Sequence, residues 1–72
     1  MISYEPLRIL LVKRNIKKMD FIAKVGLSPT TAAKLWKDDY VHLNVINRIC
    51  ETYNLTTITD VLEYKREETG LE

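Results

Sequence analysis

The stretch KVGLSPTTAAKL, from Lys24 to Leu35, constrains the fold more than any other part of the chain. Apolar residues at helical spacing run up to Gly26, and the same spacing resumes after Ser28. One glycine is too short a break for a linker. Gly26 sits where a left-handed residue would close the first helix, and only glycine adopts that geometry without a steric cost. Ser28 suits a helix N-cap, because its hydroxyl can accept an orphan backbone amide. Pro29 suits the first helical position, where no amide is needed. The stretch therefore predicts two short helices meeting at a fixed, steep angle, with Leu27 pinning the turn to the core.

The same logic extends along the chain. Ser3 is a candidate cap for a first helix with Glu5 and Pro6 in its first turn. Leu7, Leu10 and Leu11 give that helix a buried stripe, and Asn15 is a left-handed stop. A second helix is predicted from about Lys18 to Val25, burying Phe21, Ile22 and Val25. The third runs from Ser28 to about Lys37, with Ala32, Leu35 and Trp36 on one face. Its other face carries Thr30, Ala33, Lys34 and Lys37. A fourth runs from about Leu43 to Tyr53, opened by His42 or Asn44 and closed by Asn54. Its buried stripe is Val45 or Ile46, Ile49, Cys50 and Tyr53. A fifth, short helix is predicted from Ile58 to about Lys65, with Thr57 and Asp60 as a capping box and Ile58, Val61 and Leu62 inward. No segment alternates strictly, so no strands are expected. The fold class is all-α, a compact bundle of five short helices.

Composition decides which functions such a bundle can host. A chain of 72 residues is one small domain. No apolar run approaches the roughly 20 residues of a membrane span. Glu5 and Pro6 precede the N-terminal apolar stretch and no small-residue cleavage site follows it, so no signal peptide is expected. One cysteine, Cys50, excludes an intrachain disulfide and fits a reducing cytoplasm. With one histidine and one cysteine, a single chain cannot build a zinc site. No nucleophile–base set, metal-ligand cluster or glycine-rich phosphate loop is present. The chain is therefore read as neither an enzyme nor a cofactor protein.

The net charge of +1 hides a strong division. Between Lys13 and Lys37 lie seven basic residues (Lys13, Arg14, Lys17, Lys18, Lys24, Lys34 and Lys37) and a single acid, Asp20. From Asp38 onward, eight acids face three basic residues, Arg48, Lys65 and Arg66. The helix pair thus carries a field suited to a polyanion, and the rest of the chain does not. The outward face of the third helix is small or basic. Small residues let a helix lie deep in the DNA major groove. Threonine offers a hydroxyl and a methyl to base edges, and lysine can read guanine or neutralise phosphate.

The segment KKMDFIAKVGLSPTTAAKLWKDDYVHLNVINRICETYNL resembles the XRE family of bacterial and phage regulators, typified by phage repressors and Cro. The resemblance spans roughly Leu7 to Leu62, and Val25, Gly26, Leu27 and Ser28 stand at the family's turn. It implies a lambda-repressor-like DNA-binding domain over residues 1–66, with the helix-turn-helix at about 18–37; the tail over 67–72 lacks apolar density and is expected to fray. The positions just after the serine, which contact base edges in the family, are here Pro29, Thr30, Ala33 and Lys34. Positions that hold phosphates correspond to Lys18, in place of the usual glutamine, and Lys37. Ala32 stands where the family carries a β-branched core residue. Asp38 and Asp39 follow Lys37, where two acids would oppose phosphate. The implied function is a sequence-specific, cytoplasmic transcriptional regulator that reads double-stranded DNA. It is expected to bind as a weak homodimer assembled on DNA through Ile58, Val61, Leu62 and Tyr64. The competing class is a protein-binding module on the same fold: an antitoxin, an anti-repressor or a partner of another regulator. Of the residues without a DNA-contacting role, Trp36 is expected at the core edge, His42 as a helix-start polar residue, Cys50 as a small buried hydrophobe and Glu67–Glu68 as solvated tail.

Overall fold

The computed structural model describes residues 1–66. The tail at 67–72, with Glu67 and Glu68, lies outside the described residues. Four α-helices follow one another: α1 (Glu5–Lys13), α2 (Lys18–Val25), α3 (Pro29–Trp36) and α4 (Leu43–Tyr53). A 3₁₀ turn at Ile58–Asp60 comes next, and two short strands, β1 (Ile2–Ser3) and β2 (Glu63–Tyr64), join the two ends of the described chain.

Each helix ends where a residue tolerates the left-handed region. Gly26 closes α2 at φ 81°, and its amide and that of Leu27 both donate to the Ile22 carbonyl, at 2.9 and 3.0 Å. Asn15, Asp38 and Asn54 follow the other three helices at φ 58°, 57° and 55°. Short polar side chains of this type reach that region more readily than other non-glycine residues. Ser28 caps α3 by accepting the Thr31 amide at 3.2 Å.

The inward faces meet in one core. Phe21, Leu7, Leu35, Ile49 and Val61 are its fully buried large side chains. Phe21 stacks on Tyr53 at 5.9 Å between centroids and tilts against Trp36 at 5.8 Å. These contacts fix α2 against α4 and against the C-terminal end of α3. Trp36 is half-buried at the core edge, as its spacing predicts. Cys50 is half-buried rather than fully interior, and burial pushes its thiol pKa up.

Three expectations are corrected. The fifth helix does not form: after a single 3₁₀ turn the chain straightens into β2. Thr57 does cap that turn, accepting the Thr59 amide at 3.3 Å. However, Thr57, Ile58 and Thr59 are consecutive β-branched residues, which disfavour helix. The Val61 carbonyl then accepts the Leu7 amide at 3.2 Å, an interaction that competes with helical continuation. The expected absence of strands also fails, because β1 pairs antiparallel with β2 in the register Ile2↔Tyr64 and Ser3↔Glu63. Pairs of two residues are too short to show alternation. Ser3 lies in β1, buried, and Tyr4 occupies the N-cap position of α1. The Ser3 hydroxyl still accepts the Glu5 amide at 3.2 Å, so it serves the helix from within the strand.

Burial also revises the proposed dimer face. Val61 is entirely buried and Leu62 half-buried, which leaves Ile58 and Tyr64 as its exposed members.

Candidate nucleic-acid interface

The α2–turn–α3 unit is held by local bonds and by one long-range clamp. Arg48, on α4, donates from Nη1 to the Gly26 carbonyl at 3.1 Å. That carbonyl belongs to the turn residue itself, so α4 braces the angle between α2 and α3. Sequence spacing alone gave no sign of this bond, which spans 22 residues.

α3 divides cleanly into two faces. Ala32 and Leu35 are buried, and Pro29, Thr30, Ala33, Lys34 and Lys37 are exposed. The outward set is the one predicted to meet base edges and phosphate. Thr31 is half-buried, with its hydroxyl 3.1 Å from that of Ser28, and so belongs to the cap rather than the outward face. Lys34 borders a shallow cavity of about 250 Å³ lined by Thr31, Tyr40, Val41, His42 and Val45. Tyr40 is 73% exposed there, on the loop after α3, and was not singled out from sequence. His42 stands at the N-cap of α4 and makes no side-chain cap bond.

Lys18 opens α2 and is exposed. Its ammonium lies 4.6 Å from the centre of the Trp36 ring, within reach of a cation–π interaction. Lys24 sits apart from it, with its ammonium 5.2 Å from the Tyr53 ring. The basic residues of the helix pair are therefore spread over more than one side of the unit.

Asp38 does not face solvent as a free charge. It accepts from Arg8 Nη1 at 3.0 Å and from the Tyr4 amide at 2.8 Å. Arg8 also donates to the Leu35 carbonyl at 3.0 Å, near the C-terminus of α3. The Arg8 guanidinium, with the Tyr4 amide beside it, holds the Asp38 carboxyl below its usual range. One of the two acids after Lys37 is thus neutralised and turned toward α1. Asp39 accepts its neighbour's amide, Tyr40 N, at 2.8 Å.

Among the described residues no helix is long and apolar enough to cross a membrane, and no group of three or more His, Cys, Asp or Glu side chains is placed to hold a metal ion.

The sequence matches a known family over residues 6–67, that of the Cro/C1-type helix-turn-helix (HTH) DNA-binding domain. Among curated proteins, none matches the chain in sequence. Among solved structures, the chain is similar to the transcriptional regulator VanUg, determined by crystallography in its form II. The two are 39% identical, with a TM-score of 0.85 over 92% of this chain and 87% of that one.

Proposed function

This chain belongs to the Cro/C1-type HTH DNA-binding family, and from that premise we propose that it is a sequence-specific transcriptional regulator that reads the major groove with α3. The observation that carries the reading is the outward face of α3. Pro29, Thr30, Ala33, Lys34 and Lys37 stand exposed on one side of a helix whose other side is locked into the core. A groove-reading helix needs that combination of small side chains, hydrogen-bonding groups and rigid support.

The roles divide by position. Lys34 projects from the middle of the helix and reads a base edge. Thr30 supplies a hydroxyl and a methyl to the neighbouring step, and Ala33 lets the backbone approach. Pro29 has no donor and contributes van der Waals contact only. Lys18 and Lys37 flank the helix and hold phosphates. The Asp38–Arg8 pair supports this reading by removing an opposing charge from beside Lys37.

One eight-residue helix spans only a few base pairs. Two copies on a palindromic site double the contacts, with half-sites about 34–36 Å apart. In solution the protein is a monomer or a weak dimer, and the two-chain complex assembles on DNA, with Ile58 and Tyr64, both exposed in the single chain, in its interface.

The test is binding to a mixed-sequence duplex at two salt concentrations, followed by selection of preferred sites. Steep weakening with salt and a recoverable consensus are expected. No binding even at low salt would overturn the reading and favour a protein partner on the same fold. Sedimentation with and without a palindromic duplex checks assembly. A stable one-chain complex on a full palindrome would refute the dimer.

A further inference from the structure

We propose that Trp36 is a positioning residue for Lys18, holding its ammonium in place for a DNA phosphate before the DNA arrives. The proposal rests on the DNA-binding reading above and adds to it a residue that touches no base or phosphate.

Lysine is an unexpected choice for the first residue of α2. The N-terminal end of a helix carries partial positive charge and repels an ammonium. Lys17, at the N-cap of α2, adds a second cation and makes no side-chain cap bond. A long, flexible side chain in that field would swing into solvent and would have to be ordered again on binding. The structure supplies a counterweight from another element. Trp36 is the last residue of α3, and its ring lies 4.6 Å from the Lys18 ammonium. The negative face of the indole attracts the cation, and the C-terminal end of α3 adds a favourable dipole.

The ring itself is firmly held. It packs against Phe21, 5.8 Å away between centroids, and Phe21 is fully buried. Arg8 lines the same small cleft as Lys18 and Trp36, and would repel a second cation if its own charge were free. It is instead engaged by Asp38 and the Leu35 carbonyl. A cation resting on a π face still presents N–H donors to the outside. Lys18 is thereby ordered and still able to donate, while the next residue after Trp36, Lys37, lies exposed at the end of α3.

The test has two arms. In the free protein, proton NMR reads the ring current: the Lys18 ε-methylene should appear upfield of those of the other lysines, and Trp36→Leu should return it to their position. In the second arm, affinity for a mixed-sequence duplex at low salt is measured for wild type, Trp36→Leu, Lys18→Ala and the double variant, with folding checked by circular dichroism. Trp36→Leu should weaken binding about 2- to 5-fold when Lys18 is present, the range an exposed cation–π contact implies. It should leave affinity unchanged in the Lys18→Ala background. Trp36→Phe keeps an aromatic ring with a weaker π face, so it tests the same coupling if the leucine variant fails to fold, with a smaller loss again confined to the Lys18 background. Lys18→Arg, which also stacks on aromatic rings, should retain binding and remain sensitive to Trp36.

Equal losses from the Trp36 variants in both backgrounds would make Trp36 a packing residue and overturn the proposal. So would a Lys18 ε-methylene at the ordinary lysine position. In either case wild-type binding, and the DNA reading with it, would stand. A wild-type protein that binds no duplex would remove the DNA reading and this proposal together.

Discussion

Asp38 offers the sharpest test of how the C-terminal end of α3 is held. Alanine at this position removes three contributions at once. The Tyr4 amide, on a residue only 2% exposed, loses its acceptor at 2.8 Å, and a buried unsatisfied donor costs about 1–3 kcal/mol. The ion pair with Arg8 is lost as well. With about a third of each side chain exposed, that pair is screened by solvent and contributes no more than about 1 kcal/mol. Finally, alanine must adopt φ 57°, a left-handed geometry that costs an ordinary residue about 1–2 kcal/mol, and aspartate somewhat less. Together, with aspartate's own cost at this φ subtracted, these give about 2–5 kcal/mol for Asp38→Ala. Asparagine tolerates the same backbone and keeps an acceptor for Tyr4, so Asp38→Asn should cost only about 1 kcal/mol. Thermal unfolding followed by circular dichroism checks both. A domain of this size shifts by roughly 4–8 °C per kcal/mol, so the two variants should separate clearly. The charge has its own signature in pH. The folded-state pKa of Asp38 is depressed, chiefly by its hydrogen bond from Arg8. Its stabilisation is therefore fully present above the unfolded carboxyl value, about 3.9, and is lost as pH falls through the folded value. The gap between wild type and Asp38→Asn should close with acidification below about pH 4. Equal losses for Ala and Asn, or a gap unchanged at the acid limit, would refute this account.

Lys34→Ala should cost about 1–3 kcal/mol on the preferred duplex and relax choice at one base pair, measured by competition among single-substituted sites. Equal weakening on all sequences would make it a phosphate contact instead. Lys18→Ala should weaken all sequences alike and flatten the salt dependence by about one ion, read from titrations across salt concentrations. Gly26→Ala meets no atom within 4 Å of the added carbon, so its loss should come from the positive φ alone, about 1–2 kcal/mol in urea unfolding, with the folded protein still binding DNA. A larger loss, or folded protein that no longer binds, would show that the added methyl disturbs the turn itself.

What could be read from the chain alone follows the range of the interactions involved. Gly26, Ser28 and Pro29 act on their immediate neighbours, so the bounds of α2 and the start of α3 were legible. Asn15 and Asn54 announced their helix ends for the same reason. Thr30, Ala33, Lys34 and Lys37 followed from periodicity and Pro29 from the family resemblance, and the structure leaves all five exposed. The fifth helix failed because its fate is decided elsewhere. Leu7, far back in the chain, donates to Val61, and β1 captures residues 63–64. Nothing within that segment records either partner. The Arg8–Asp38 pair spans 30 residues, and read locally Asp38 was only an acid near a phosphate. Lys18 was legible as a cation, but the ring beneath it was not, because it arrives from another helix.

The two-stranded ladder has a kinetic meaning. Lys65 donates its amide to the Met1 carbonyl at 2.7 Å, across almost the whole described chain. Closing so long a loop is entropically expensive until the helices between have shortened it. The ladder should therefore be the last part of the molecule to form and the first to open. Backbone amides of the ladder should exchange with solvent through small local openings, while those of Leu35 and Ile49 wait for global unfolding. The helix pair that carries α3 thus does not depend on a transient edge for its own shape. The Leu7–Val61 bond connects the two regimes, since it ties the first turn of α1 to a residue two positions before the second strand.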